Sequence, residues 1–250
     1  MIDLVQHQVQ RILNCSFHAV TEQTVIEWSE SLLKQDQRKY ITTVNVAILM
    51  MMRDDERLRD FVENSAITVA DGQPIIWLSR FLGTPLPERV AGIDLCEQIA
   101  RVAADNQKTI YLLGATDSVL AKTERQLIAD NPSLIIAGKS NGYFEESETA
   151  SNVTDIRNSG ADILFVAMGV PRQEYFIQEN WDVLGVKLAI AVGGSFDVIS
   201  GVTKRAPKWM QNYGLEWLFR LLQEPRRLAK RYALTNTQFL ILSLKALFKK

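Results

Sequence analysis

Six short apolar runs punctuate the chain between residues 40 and 192, and they predict β-strands. They are Tyr40–Val44, Ile67–Ala70, Thr109–Leu113, Leu134–Ala137, Ile163–Ala167 and Lys187–Val192. The stretches between them, such as residues 93–104 and 117–129, read as helices. Strands that alternate with helices are typical of a parallel sheet covered on both faces. The pattern therefore predicts an α/β fold with a Rossmann-like, mainly parallel sheet.

The two ends of the chain depart from this alternation. Residues 1–38 read as mixed helical and polar material. From residue 207 onward no strand signal remains, and two or more helices are expected over 208–222 and 225–249, because Pro225 divides the segment. We therefore expect two domains, an α/β body at 1–206 and a basic helical appendage at 207–250.

Charge is distributed unevenly between these two parts. Residues 201–250 hold 11 lysines and arginines and 2 acidic residues, whereas residues 1–200 hold 17 and 27. A basic segment on an acidic body points to a nucleic acid, a membrane surface or another polyanion as partner. A solvated basic helix without a ligand would give the same count. Aromatic residues between the arginines, such as Trp217 beside Arg220, favour a ligand.

The residue types present argue against several kinds of active site. The chain has two histidines, His7 and His18, and two cysteines, Cys15 and Cys96. A histidine metal centre, a Ser-His-Asp triad, a zinc site and a disulfide framework are therefore not expected, and the chain looks cytosolic. No signal peptide is expected, and no segment reaches the roughly 18 apolar residues of a membrane span.

Polar side chains follow the first two predicted strands. Thr43 and Asn45 stand at the end of the first, and Asp71 stands at the end of the second, shortly before a helix-starting proline. Ligands bind at the carboxyl ends of strands in such sheets, and a carboxylate there can act as a general base on a hydroxyl. Thr43 and Asn45 could orient a sugar. The alternative for all three is a role in turns and helix caps.

Two later segments carry further candidates for ligand binding. Arg89 follows two prolines and could pair with a diphosphate. Gly169 opens a turn that places Gln173 in the first turn of a helix, where its amide could contact a sugar or a uracil. The alternatives are a surface arginine and an ordinary polar start of a helix.

A glycine pair follows the last predicted strand. Gly193 and Gly194 would let the backbone approach a phosphate-bearing nucleotide closely. Phe196 is then expected to pack against that nucleotide, and Asp197 to bind ribose hydroxyls. A Gly-Gly pair by itself is a weak signal.

Several ligand-binding motifs are absent. The sequence contains no G-x-G-x-x-G, no G-x-x-x-x-G-K-[ST] and no D-x-D pair of the kind that carries a divalent metal in many nucleotide-sugar enzymes. We therefore expect neither a metal nor a cofactor. Arginines are the means that remain for neutralising phosphate charge and stabilising a leaving group.

The last predicted helix combines an apolar face, from Leu234 to Phe248, with Lys245, Lys249 and Lys250 at its margins. Such a helix suits the interface of a membrane. A helix docked on its own core or on another subunit fits the pattern equally well.

Eight short motifs stand in order between residues 71 and 220. They are Asp71–Pro74 (DGQP), Glu88–Asp94 (ERVAGID), Tyr111–Gly114 (YLLG), Met168–Glu174 (MGVPRQE), Val192–Asp197 (VGGSFD), Gly201, Arg205–Pro207 (RAP) and Glu216–Arg220 (EWLFR). Any one of them is weak, but eight with natural spacing are specific. Together they resemble the WecG/TagA/CpsF family of bacterial glycosyltransferases, over about residues 40–232.

The resemblance implies an inverting, metal-independent enzyme that moves a sugar from a UDP-sugar to a polyprenyl-diphosphate-linked sugar. The setting would be teichoic acid or other cell-surface polysaccharide assembly at the inner face of the cell membrane. Carried over by motif, Asp71 would be the general base, and Arg89 would contact phosphate. The sugar site would be lined by Thr43, Asn45 and Gln173, and diphosphate would be contacted by Arg220, Arg227 and Arg231.

The resemblance further implies that the appendage associates with the membrane and closes over the active site, and that the protein forms homo-oligomers in solution. It does not identify the donor, since relatives use N-acetylmannosamine, its uronic acid or glucose. Two other readings remain for the whole chain. One is a polyanion-binding protein without enzyme activity, and the other is a UDP-sugar hydrolase or epimerase; we do not expect nucleic acid as a partner.

Overall fold

The computed structural model describes residues 9 to 248, and eight β-strands lie in that range. They are β1 (Val9–Ile12), β2 (Cys15–His18), β3 (Lys39–Val44), β4 (Ile67–Ala70), β5 (Thr109–Gly114), β6 (Ile135–Ser140), β7 (Ile163–Ala167) and β8 (Leu188–Ala191). Strands β3 to β8 correspond to the six predicted apolar runs. Two of these strands, β4 and β7, have the predicted bounds, Ile67–Ala70 and Ile163–Ala167.

The described chain also contains twelve α-helices. They are α1 (Glu22–Leu33), α2 (Val46–Met51), α3 (Glu56–Glu63), α4 (Gln73–Phe81), α5 (Gly92–Asp105), α6 (Asp117–Asp130), α7 (Thr149–Ser159), α8 (Arg172–Leu184), α9 (Ser195–Ile199), α10 (Lys208–Asn212), α11 (Glu216–Gln223) and α12 (Pro225–Phe248). A short 3₁₀ turn, Glu146–Glu148, precedes α7.

Strands β3 to β8 form one six-stranded sheet in the order β4-β3-β8-β7-β5-β6. All of its neighbouring strands are parallel, with Ile41 of β3 paired to Ile67 of β4 and to Ile190 of β8. The predicted α/β fold with a parallel sheet is confirmed. The order also sets β4, β3 and β8 side by side, so their carboxyl ends share one stretch of the sheet edge.

Helices cover both faces of the sheet, as predicted. Along β7, Ile163 and Phe165 pack into one apolar cluster with side chains of α5 and α6, while Leu164 and Val166 pack into another with α7 and α8. All four are fully buried. A strand that is buried on both faces reads as a continuous apolar run, which is why these strands were visible in the sequence.

The N-terminal segment contains a hairpin that the sequence pattern did not predict. Strands β1 and β2 pair antiparallel, with Ile12 opposite Cys15 across a two-residue turn. Leu13 in that turn adopts a φ of 54°, and no Asn-Gly or Asp-Gly signal marks it. Residues 9–18 are therefore strand rather than mixed helical material.

The helical segment predicted over 208–222 is divided into two helices. Gly214, with a φ of 67°, separates α10 from α11. A Cβ atom at this position would lie 2.5 Å from Cγ of Gln73 on α4, so the backbone makes a close approach that requires glycine. The break brings the start of α11 against the body.

Helix α12 packs along α2 and buries Leu228 and Phe239. Much of its apolar surface stays exposed, in particular Leu234, Leu240, Ile241, Leu244 and Phe248. Within residues 9–248, no helix combines the length and the apolar character that crossing a membrane requires.

Candidate active site

A cavity of about 630 Å³ opens at the carboxyl ends of β4, β3 and β8. Helices α4, α11 and α12 contribute its other walls. Eight of the residues predicted from the sequence line it: Thr43, Asn45, Asp71, Arg89, Gln173, Gly193, Gly194 and Arg220. They come together because β4, β3 and β8 are neighbours in the sheet, although their ends are far apart in the sequence.

The cavity changes in character along its length. Its polar groups cluster where α4 begins, whereas Trp77 and Phe81 line it further along that helix. At 1.5 Å per residue, Phe81 lies about 12 Å along α4 from Gln73. Helix α12 shows a similar gradient, with Asn236 followed by residues that are apolar except for Ser243 and that end at Leu247. The cavity therefore suits a ligand with a polar head and an apolar tail.

Asp71 lies at the polar end, directly after β4. Its backbone N–H donates to the carbonyl of Val44 over 2.9 Å, and its carboxylate Oδ2 accepts from the N–H of Gly92 over 3.3 Å. Burial raises the pKa of Asp71 from 3.8 to about 6, Arg89 and Arg220 oppose this rise, and Glu216 adds to it. A carboxylate with a pKa near 6 is ionised at neutral pH and is still basic enough to accept a proton.

Asp71 does not cap the helix that follows it. The N-cap residue of α4 is Gly72, which has no side chain to cap the helix. The Asp71 carboxylate instead faces the first residue of α5, Gly92. A Cβ atom on Gly92 would lie 3.3 Å from Oγ1 of Thr43 and 3.8 Å from Oδ2 of Asp71, so glycine leaves room for both polar groups. Sequence reasoning assigned no role to this glycine.

Thr43 and Asn45 differ in how far their side chains are engaged. Thr43 is buried in β3 and lines the cavity next to Gly92. Asn45 is the N-cap of α2, since its Oδ1 accepts from the N–H of Ile48 over 3.1 Å. The capping alternative is therefore confirmed for Asn45. Its amide Nδ2 is the group that can still donate into the cavity.

Arg89 and Arg220 are linked by a carboxylate that sequence reasoning did not single out. Nη1 of Arg89 lies 2.8 Å from Oε2 of Glu216 and 3.7 Å from Oδ1 of Asp71. Nη2 of Arg220 lies 3.8 Å from the other oxygen of Glu216. The signal in the sequence was that Glu216 is one of only two acidic residues after position 200.

Gln173 is buried, and both ends of its amide are used within the protein. Oε1 accepts from the N–H of Gly193 over 3.1 Å, and Nε2 donates to Oε1 of Glu174 over 2.8 Å. Gly193 has a φ of 54°, so Gln173 holds a turn that glycine makes possible. Its predicted contact with a sugar stays a prediction, since its side chain touches the cavity wall.

Glu174 was missed as a single residue, although it ends the segment that contains Gln173. It is buried, and its Oε2 has no hydrogen-bond partner. Burial raises the pKa of the Glu174 carboxyl to about 7, against an opposing effect of the Gln173 hydrogen bond. The sequence signal was weak, because an acidic residue in the first turn of a helix is ordinary.

Three predicted residues do not line this cavity: Gly169, Phe196 and Asp197. Phe196 is fully buried in the apolar cluster beneath α9, so it has no surface left for a nucleotide and the predicted contact is wrong. Gly169 has a φ of 78° and its carbonyl accepts from the N–H of Gln173, which makes it part of the turn before α8. The side chains of Arg227 and Arg231 lie outside the described part of the structure.

A second ion pair fixes the segment that leads into the appendage. Arg205 binds Asp94 of α5 with two contacts, Nη1 to Oδ1 at 2.6 Å and Nη2 to Oδ2 at 2.7 Å. Such paired contacts are among the stronger ion pairs in proteins. They hold residues 201–207 against α5, so that α10 and α11 start beside the cavity.

The polar end of the cavity thus combines one carboxylate with a raised pKa and two guanidinium groups. A carboxylate of this kind can accept a proton from an attacking hydroxyl, and guanidinium groups can stabilise an anionic leaving group. Across residues 9–248, no three His, Cys, Asp or Glu side chains are grouped so that they could hold a metal ion.

The chain is similar to proteins of one family of enzymes. The model of the glycosyl transferase WecG/TagA/CpsF family matches residues 10–250. An N-acetylglucosaminyldiphosphoundecaprenol N-acetyl-beta-D-mannosaminyltransferase of Bacillus spizizenii is 34% identical over 195 residues, which cover 78% of this chain and 75% of the relative. The protein of the same name from Bacillus subtilis is 34% identical over 200 residues, which cover 78% of this chain and 77% of that relative.

Proposed function

Because the chain belongs to the WecG/TagA/CpsF family of glycosyl transferases, we propose that it moves a sugar from a UDP-sugar to a sugar linked to a polyprenyl diphosphate. The observation that carries this proposal is the polarised cavity, with Asp71, Arg89 and Arg220 at one end and apolar side chains at the other. A lipid-linked acceptor has the same polarity, because a sugar diphosphate is joined to a long hydrocarbon chain.

In the proposed reaction, Asp71 acts as the general base. It takes the proton from the acceptor hydroxyl while that oxygen forms a bond to the anomeric carbon of the donor. The bond between this carbon and the β-phosphate oxygen breaks, and UDP leaves with the bonding electrons. Attack from the face opposite UDP inverts the configuration at the anomeric carbon.

Arginine side chains carry the phosphate chemistry in this proposal. Arg89 and Arg220 neutralise the charge that develops on a diphosphate, so the reaction needs no divalent metal. Arg227 and Arg231, on the first turns of α12, are proposed to bind diphosphate as well. Thr43 and the amide of Asn45 orient a sugar ring, and Gly193 and Gly194 form the adjacent turn, which Gln173 holds.

The two predicted domains receive different tasks. The α/β body, residues 1–206, provides the base and the sugar site, and the appendage, residues 207–250, closes the cavity. We propose that outward-facing side chains of α12, such as Ile241 and Lys245, contact the inner face of the cell membrane. The reaction would then serve the assembly of teichoic acid or of another cell-surface polysaccharide.

The names of the relatives supply the first donor and acceptor for this proposal. Both are named for transfer of N-acetyl-beta-D-mannosamine to N-acetylglucosaminyldiphosphoundecaprenol. UDP-N-acetylmannosamine and a polyprenyl-diphosphate-linked N-acetylglucosamine are therefore the first pair to test. The uronic acid of N-acetylmannosamine and glucose are the other donors that the proposal admits.

The experiment is a transfer assay with a panel of UDP-sugars and a short polyprenyl-diphosphate-linked N-acetylglucosamine, with EDTA present. We expect one donor to give a lipid-linked disaccharide, and NMR of the product to show inversion. UDP release without an acceptor would instead indicate a hydrolase, and loss of activity in EDTA would contradict metal independence. UDP binding without transfer from any donor would require a different acceptor.

A further inference from the structure

Glu216 links the two parts of the chain at the candidate active site. It is the first residue of α11, it is 8% exposed, and its two oxygens face arginines from different elements. Arg89 comes from the loop before α5, whereas Arg220 lies one turn further along α11. One buried carboxylate is thus shared between a cation of the body and a cation of the appendage.

The distances show which carboxylate holds Arg89. The same atom, Nη1 of Arg89, is 2.8 Å from Glu216 and 3.7 Å from Asp71. The first distance is a charge-assisted hydrogen bond, and the second is too long for one. The short contact of Arg89 is therefore with Glu216, and its contact with Asp71 is longer.

The distance between Arg89 and Asp71 affects how strong a base the Asp71 carboxylate can be. A guanidinium group in direct contact with a carboxylate stabilises its ionised form and makes it a weaker base. If Glu216 lost its charge, Asp71 would become the nearest anion to Arg89. The arginine could then close the 3.7 Å gap and turn its longer ion pair with Asp71 into a hydrogen-bonded one.

Resting on the proposed function, we propose that Glu216 is a positioning residue that holds Arg89 away from Asp71, so that docking of the appendage leaves Asp71 free to act as the base. Glu216 does not touch the reacting atoms in this proposal. It acts through Arg89, and it is supplied by the appendage, so the site is complete only when α11 is in place.

Other charged groups near this cluster are already paired. Asp71 also faces Arg220 from α11 and the N–H of Gly92 from α5. Arg205, which lies within electrostatic range of Glu216, is bound to Asp94 of α5. Glu22 of α1 lies within electrostatic range of Arg205 and Arg89, which lower its pKa, whereas burial first and then Asp94 and Glu88 raise it. From α12, Tyr232 lines the cavity.

The test compares the wild type with Glu216→Gln, which keeps the length of the side chain and an oxygen acceptor for Arg89 but removes the charge. The matched control is Glu27→Gln, because Glu27 is an exposed glutamate of α1 away from the cavity. The readout is the pKa of Asp71 by NMR titration of ¹³C-labelled aspartate carboxyls, with Asp71→Asn to assign the signal. Trypsin resistance of α12 reports whether the appendage stays docked.

We expect Glu216→Gln to lower the pKa of Asp71 by about one unit with the appendage still protected, because the charge of Glu216 itself raises that pKa and because Arg89 moves onto Asp71. The low-pH limb of the rate profile should shift by the same amount, and kcat should fall. In an Arg89→Met background the second cause is absent, so the drop in the pKa should be smaller there. Glu27→Gln should leave the pKa unchanged.

An equal drop with and without Arg89 would overturn the proposal, because Glu216 would then act on Asp71 by its own charge. An unchanged Asp71 pKa would also overturn it, and so would a shift that accompanies release of the appendage, since Glu216 would then be a structural link only.

The titration needs no substrate, so it separates this inference from the proposed function. A lowered pKa of Asp71 in a protein that transfers no sugar would support the positioning role and contradict the reaction. Sugar transfer by the wild type together with an unmoved pKa would do the reverse.

Discussion

The α/β body and the appendage bury their apolar side chains to very different extents. In the body, the strand residues Ile163, Leu164 and Phe165 are fully buried between two helical layers. In the appendage, Leu222 is 70% exposed and Phe248 is 88% exposed. The body has a closed core of its own, whereas the appendage presents one side to the body and leaves the other open.

The difference shows how the candidate active site is built. In the proposed reaction, the body contributes the base and the side chains that face the sugar, from strand ends that are fixed by the sheet. The appendage contributes Glu216 and Arg220, together with a wall of the cavity, from helices with little core of their own. The proposed site in the body is thus completed by a segment that packs α12 along α2 and buries Leu228 and Phe239.

The largest effect is expected from removing the appendage. A chain that ends at Ala206 loses Glu216, Arg220 and the α12 wall, so we expect no measurable transfer. It keeps the whole sheet and the helices on both faces, so it should still unfold cooperatively by circular dichroism. A chain that ends at Phe248 is the matched control and should remain active with an acceptor in detergent.

An active chain 1–206 would contradict the shared site, because the body alone would then be sufficient. Failure of chain 1–206 to fold would contradict the division into two domains at this position. The two results are distinguished by the thermal transition, which needs no substrate.

The next effect in size concerns Asp71 in the body. Asp71→Asn should reduce kcat by about 10²- to 10⁴-fold, the usual contribution of a general base. The affinity for UDP, measured by calorimetry, should change little, because the carboxylate does not neutralise phosphate. Undiminished turnover would remove Asp71 from the role of base.

The pH dependence of the wild type follows from the raised pKa of Asp71. The base must be ionised, so kcat/KM should fall as the pH drops through about 6. Stability should change in the opposite sense. Between pH 3.8 and 6 the unfolded chain loses this proton before the native protein does, so the free energy of unfolding falls as the pH rises. Asp71→Asn should lack that decline.

The sequence predicts a site residue when its position depends on a strand end. It does not predict a residue whose role depends on a partner far away in the sequence. Thr43, Asn45 and Asp71 were predicted because each follows an apolar run, and such runs mark strand ends. Glu216 was not, because its role depends on Arg89, which lies 127 positions away in the sequence. Local patterns carry no information about such a pair.

The errors in the fold have the same origin. The hairpin at residues 9–18 is short and turns at Leu13, which is not a residue that signals a turn. Phe196 was assigned to a ligand because it follows two glycines, yet the turn directs it into the core. Whether a side chain after a tight turn faces a ligand or the core is decided by the packing of the helices around it.

The smallest effect is expected on the apolar part of the cavity, and it separates two uses of α12. Leu244 lines the cavity, whereas Ile241, three residues before it, is similarly exposed but does not line it. If the cavity holds the first isoprene units of the acceptor, Leu244→Ser should raise the acceptor KM several-fold in detergent, and Ile241→Ser should not. With a short, water-soluble acceptor both variants should match the wild type, because no hydrocarbon chain is present to fill the cavity.

Equal effects of the two substitutions on a lipid acceptor would mean that α12 serves only as a membrane-contacting surface, and the lipid would then not enter the cavity. Binding of both variants to anionic vesicles completes the comparison, since Ile241→Ser should weaken that binding more than Leu244→Ser if the outward face of α12 meets the membrane.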